Sequence, residues 1–221
     1  MRIPFFPNTG DGTHCFQAVL MMALAALVPD RSFTYEDLDK ISGKLPGKWT
    51  WPTAALLWLI DVGLEVKLIE EFDYAAFAER GGDYLIGRFG EEVGRAQIAN
   101  SDIERERVLA KRFAAIPPLE MRVPDIDDIE NLLRQGSVVI VNLNSAVLEG
   151  GEGYAGHFVV VCEVDGSMVR LHDPGLPPRP NLKVTLERFD RAWGYPHPGD
   201  RNLLAIRKPS GFVWKGREQN Q

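Results

Sequence analysis

Cysteine is scarce in this chain of 221 residues, which has only Cys15 and Cys162, far apart in different local patterns. That density excludes a disulfide scaffold, and without a Cys-x-x-Cys spacing no structural zinc site or other metal is expected. Basic charge is short as well. Lys and Arg number 25 against 31 Asp and Glu, a formal charge of -6, so the footprint of a nucleic-acid binder is missing. Long apolar runs are also absent. The longest, Phe16 to Val28, is about thirteen residues where a membrane span needs about twenty, so it reads as a buried helix and no membrane partner is expected. The opening Met1-Arg-Ile-Pro-Phe-Phe-Pro7 lacks both the apolar core and the small-residue cleavage site of a signal peptide. A reducing, cytoplasmic setting is therefore the expectation. No repeat or low-complexity block interrupts the chain, and its length with 45% hydrophobic residues fits one domain with a full core.

The first half reads as helical. Thr13 is placed to cap a run from Cys15 to Leu27 that Pro29 stops. Thr34-Tyr-Glu-Asp37 has the form of a capping box opening a second helix, and Thr50-Trp-Pro52 opens a third that ends at Gly63. Leu64 to Ile69 reads as a short strand. From Asp73 to about Ile116 the pattern is again helical, with a capping box at Ser101-Asp-Ile-Glu104, and reads as an inserted subdomain or flap. Pro117-Pro118 punctuates it, and a helix from Asp125 to Gln135 ends at Gly136. The period then changes. Val138 to Leu143, His157 to Cys162 and Met168 to His172 are short and β-branched, followed by a helix from Leu186 to Trp193 and a strand near Leu203 to Ile206. Helices first and strands later predict an α+β domain over residues 1–213, with a frayed polar tail over 214–221.

A thiol is nucleophilic only as thiolate, and a helix N-terminus lowers its pKa through unpaired N–H groups and the positive end of the helix dipole. Cys15 sits at such a position. It follows the loop Pro7-Asn-Thr-Gly-Asp-Gly-Thr13, whose glycines let the backbone approach a substrate carbonyl and form an oxyanion hole. His157 brings an ionisable ring to an otherwise apolar strand. If Val164-Asp-Gly166 is a three-residue hairpin loop, His157 lies directly opposite Asp173, on the face of Val159, Val161, Val169 and Leu171. The carboxylate would then fix the imidazole tautomer. A Cys15–His157–Asp173 set of this kind performs acyl transfer through an acyl-enzyme and needs no cofactor.

The segment Asn8-Thr-Gly-Asp-Gly-Thr-His-Cys15-Phe-Gln-Ala-Val-Leu, with Gly156-His157-Phe-Val-Val-Val, His172-Asp173-Pro174-Gly175, Leu186-Glu-Arg-Phe189 and Trp193, resembles the peptidase C39-like branch of the papain-like superfamily. The match spans most of the chain apart from the helical insert and the tail. It implies a papain-like fold with Cys15 on the central helix, His157 and Asp173 on the sheet, and an oxyanion side chain just upstream of the cysteine. Two positions depart from the family pattern. Its usual oxyanion glutamine is replaced by Asn8, with Asp11 as a second candidate, and its usual Cys-Gly is Cys15-Phe16. The resemblance implies a thiol hydrolase acting on a peptide or other amide substrate. An acyl transferase using the same triad and an inactive binding module are the alternatives.

Other readings of these residues stay open at this point. Cys15 and His157 are also compatible with core packing, and Asp173-Pro174-Gly175 with an ordinary turn. His14 beside Cys15 and His172 beside Asp173 do not make a zinc site, because adjacent side chains point apart. Trp49 and Trp51, in the loop Pro46-Gly-Lys-Trp-Thr-Trp-Pro52, are the substrate-cleft candidates. Cys162 is read as packing, and the charged run Asp102 to Arg112 as a solvated helix face or a lid.

Overall fold

The computed structural model describes residues 1–116 and 119–216. In chain order the elements are α1 (Cys15–Leu27), α2 (Tyr35–Ser42), α3 (Thr53–Asp61), β1 (Glu65–Glu70), α4 (Tyr74–Arg80), α5 (Gly82–Asn100) and α6 (Ile103–Phe113). Then follow β2 (Leu119–Glu120), α7 (Ile126–Arg134), β3 (Val138–Asn144), α8 (Ser145–Leu148), β4 (Gly156–Asp165), β5 (Met168–Asp173), β6 (Arg179–Thr185), α9 (Leu186–Trp193) and β7 (Asn202–Arg207). Among the described residues the strands form one sheet in the order β2-β1-β7-β3-β4-β5-β6, antiparallel except for the β1–β2 pair. The protein is thus α+β. None of the described helices is long and apolar enough to cross a membrane.

Strand alternation divides the core in two. Leu68, Val138, Ile140, Val160, Leu204 and Ile206 project toward α1 to α6, whereas Val139, Val141, Val159, Val161, Val169 and Leu171 project toward α7 and α9. Apart from Gln17, helix α1 is apolar around its circumference, and it packs against β4 as a core helix must. The expected insert is not a separate subdomain. Tyr74, Phe77, Tyr84, Leu85, Ala110 and Phe113 of α4 to α6 join the same apolar cluster as α1, so these helices complete the first layer.

Several local expectations hold and several are corrected. The Thr34–Asp37 capping box is present with both reciprocal hydrogen bonds. Thr13 does not cap α1: the cap position is His14, and the Thr13 hydroxyl turns to Asp11 and His14. Helix α6 is capped by Asp102, which accepts from the Arg105 N–H, because Ser101 accepts instead from the Trp51 indole at 2.9 Å. The tail begins later than expected, since Trp214 packs on Trp58 and Phe33 with Arg31 over its ring. Pro117-Pro118 and residues 217–221 lie outside the described residues. The β4–β5 turn is also tighter than expected. Asp165 pairs with Met168, and an extra residue at Cys162 bulges β4 before Val161 meets Leu171. His157 is therefore not directly opposite Asp173 but two positions further along. Because the shift is even, both remain on one face.

Candidate active site

Cys15 occupies the first position of α1, where the N–H groups of the opening turn have no intrahelical acceptor. The preceding loop is held by Asn8. Its Oδ1 accepts from the His14 N–H at 2.7 Å and the Thr9 N–H at 2.9 Å, and its own N–H donates to the Pro174 carbonyl at 2.8 Å. One residue thus ties the start of α1 to the end of β5. Gln17, fully buried within the first turn of α1, donates to Ser42 at 2.9 Å and Thr50 at 3.2 Å, anchoring the Trp49–Trp51 loop beside the cysteine.

The three predicted side chains meet. Cys15 lies beside the His157 ring and the backbone N–H groups of Phe158 and Phe16, close enough for each to act on the charge of its thiol. His157 Nε2 is 2.7 Å from Asp173 Oδ1, which leaves Nδ1 for the thiol. Asp173 is fully buried, and its remaining acceptor capacity is used: Oδ1 also accepts from the Gly175 N–H at 2.8 Å, and Oδ2 accepts from Arg179 Nε at 3.0 Å and Nη2 at 2.6 Å. Arg179 in turn pairs with Glu149 at 2.7 Å. Sequence reasoning passed over Arg179. Its only signal was a cation placed just beyond the turn Pro174-Gly-Leu-Pro-Pro178, able to fold back onto Asp173. Gly175 is fixed by space, because a Cβ there would lie 2.9 Å from Asp173 Oδ1 and 3.3 Å from His157 Nε2.

These contacts set the charge states. Burial pushes the Cys15 thiol up, but the hydrogen bond and charge of His157, helped by the Phe158 and Phe16 N–H groups, hold it below its ordinary value. Burial lowers His157, yet the Asp173 hydrogen bond and then Cys15 outweigh it and bring the imidazole up to about 9. For Asp173 burial acts upward and is overcome by His157, the Gly175 N–H and Arg179. The directions are mutually consistent with a thiolate–imidazolium pair, which titrates as a unit.

A cleft of about 420 Å³ opens from Cys15 across the α1 face of the sheet. Trp49 is 44% exposed and tilts toward Tyr154 at the rim, whereas Trp51 stacks on Phe77 at 5.1 Å and contributes wall and core together. Phe16 is buried against Phe158, so its ring extends the core beneath the cleft and does not block its mouth. Of the two oxyanion candidates, Asn8 is buried with Oδ1 engaged, which leaves its Nδ2 protons as donors. The Asp11 carboxylate accepts from Thr9, Thr13 N–H and the Thr13 hydroxyl and is held well below the usual range, so it carries no proton to give an oxyanion. It braces the loop instead.

Compared with protein-family models and with curated proteins, the chain matches none. The geometry therefore carries the functional argument. His14 and His172 are engaged elsewhere, His14 with Thr9 and Asp39, His172 between the Ile3 carbonyl and the Asn181 N–H. No group of three or more metal-ligating side chains occurs among the described residues. Cys162 lies on the opposite face of β4 from His157, and burial raises its thiol to about 11, the state of an inert packing cysteine.

Proposed function

We propose that this chain is a papain-like cysteine hydrolase of the C39-like branch that cleaves a peptide or other amide bond through Cys15, His157 and Asp173. One observation carries the reading: His157 bridges a helix-terminal thiol and a buried carboxylate where a cleft begins. The packing of α1 against an antiparallel sheet supports the papain-like assignment.

The chemistry follows from the charge states. The Cys15 thiolate adds to the amide carbonyl carbon, and the negative charge moves to the carbonyl oxygen, facing first-turn N–H groups of α1 and the Asn8 amide. The His157 imidazolium gives its proton to the leaving nitrogen as the C–N bond breaks, and an amine departs from a Cys15 thioester. Neutral His157 then takes a proton from water, hydroxide attacks the thioester, and release of the acid restores thiolate and imidazolium. Asp173, locked by Arg179, holds the ring through both transfers. An amine acceptor could replace water in the second half. That acyl-transfer alternative is favoured by the length of the cleft, which reaches from Cys15 to Glu70 and Asp200 and has room beyond the reacting centre.

Cleavage of a defined peptide mixture, followed by mass spectrometry with and without added amine acceptors, tests the reading. Cys15→Ala is expected to lower turnover at least about 10⁴-fold while leaving the urea midpoint unchanged. A folded Cys15→Ala protein that still turns over substrate contradicts it, and amide products in place of acids select acyl transfer.

A further inference from the structure

Strand register defines a row of residues along the floor of the cleft. Glu70 of β1 pairs with Asn202 of β7, the Asn202 side chain bonds both to the N–H and to the carbonyl of Asn142 in β3, and Asn142 pairs with Phe158 of β4. All four line the cleft. Phe158 is the residue whose N–H lies against the Cys15 thiol. Three strand spacings of about 4.8 Å, about 14 Å across the sheet, separate the Phe158 backbone from that of Glu70.

Glu70 is an unusual group to find there. Its Oε1 accepts from the Tyr74 hydroxyl at 2.6 Å, but no lysine or arginine forms an ion pair with it among the described residues. The cations nearby are occupied. Arg88 pairs with Asp200 at 2.8 Å and donates to the Gly199 and Glu71 carbonyls, and Lys48 donates to the Ala99 carbonyl. Burial raises the Glu70 carboxyl to about 7 against the opposing pull of Tyr74 and Arg88, as expected of an acid short of counter-charge. Phe72, packed on Tyr74, lines the cleft beside it, an aromatic wall whose face attracts cations, whereas the Phe89 ring already carries Arg88.

We propose that this end of the cleft receives a cationic group of the substrate, an ammonium or guanidinium carried roughly three strand spacings, on the order of 14 Å, from the carbonyl that Cys15 attacks. The assignment rests on the cysteine-hydrolase reading for the other end of the cleft. An extended peptide advances about 3.4 Å per residue, so a peptide substrate carries lysine or arginine about four residues from the bond attacked. The cation supplies the charge that Glu70 lacks, and Tyr74 keeps the carboxylate aimed at it.

Binding to the full-length Cys15→Ala protein tests this without turnover. The probes are acetylated, amidated nonapeptides of alanine and glycine carrying one lysine, either four residues before or four after a central bond, each with a norleucine counterpart. One lysine peptide is expected to bind about ten- to a hundredfold more tightly than its counterpart, the range for a buried hydrogen bond to a charged group. In Cys15→Ala/Glu70→Gln the preference is expected to fall to near unity, with norleucine binding unchanged. Equal lysine and norleucine affinity at both positions in Cys15→Ala, no binding by either, or a lysine preference surviving Glu70→Gln overturns the proposal. The first comparison does not depend on the Glu70 variant folding. A lysine preference in a wild-type protein that cleaves no peptide sinks the hydrolase reading and leaves the subsite standing.

Discussion

At the β4–β5 side of the cleft, thiol, imidazole, carboxylate and guanidinium follow one another in contact, from Cys15 through His157 and Asp173 to Arg179. Across the sheet at β1, Glu70 accepts from a phenol and, among the described residues, forms no ion pair. The first end is electrostatically complete before any ligand arrives, which is what transition-state stabilisation requires of fixed dipoles and charges. The second end is incomplete, and a carboxylate kept there at a cost in stability is a site for recognition. On the proposed reading, chemistry and selection are divided between opposite ends of one row of strand residues.

Breaking the complete end has the largest expected effect. Asp173→Asn removes the main upward influence on His157, so kcat/KM is expected to fall about 10²- to 10⁴-fold and the alkaline limb of its pH profile to move down from about pH 9. An unchanged limb separates Asp173 from the imidazole's titration. Next comes the division of the tryptophans. Trp51→Ala removes the stack on Phe77 and the bond to Ser101 and is expected to cost about 3 kcal/mol in urea unfolding, whereas exposed Trp49→Ala changes stability by less than about 0.5 kcal/mol and raises KM. Equal costs erase the distinction between wall and rim.

The smallest effect sharpens the incomplete end. A carboxyl whose folded pKa is raised from 4.5 to about 7 binds more protons folded than unfolded in that interval, so the wild-type loses stability as pH rises through it. Glu70→Gln escapes this loss. It is expected to be more stable than wild-type at pH 8 and to gain nothing below pH 4.5, read from urea midpoints. A variant less stable at pH 8 places Glu70 in the scaffold.

Much of the placement of the candidate site was legible because its signals are local. The apolar run fixed the start of α1 at Cys15, and alternation in Phe158 to Cys162 and Val169 to Leu171 assigned His157 and Asp173 to one face. The bulge at Cys162 was not legible, since nothing in a β-branched run marks which residue is left unpaired, but an even slip preserves the face. Strand β6 escaped notice because Arg179-Pro-Asn-Leu-Lys-Val-Thr185 is polar and contains proline, tolerated because it forms the sheet edge. Arg179 and Glu70 belong to a further class. Their roles come from residues brought together by register across the sheet, and Glu70 alone reads as the solvated end of an alternating strand.

The pairing of thiol and imidazole is the central claim, and the pH dependence of iodoacetamide labelling, mapped by mass spectrometry, tests it most directly. Cys15 is expected to react rapidly well below the free-thiol pKa of about 8.5, with Cys162 unreactive as an internal control and the Cys15 profile moving upward in His157→Ala. A Cys15 that labels slowly with an ordinary thiol profile, the same in both proteins, contradicts the account.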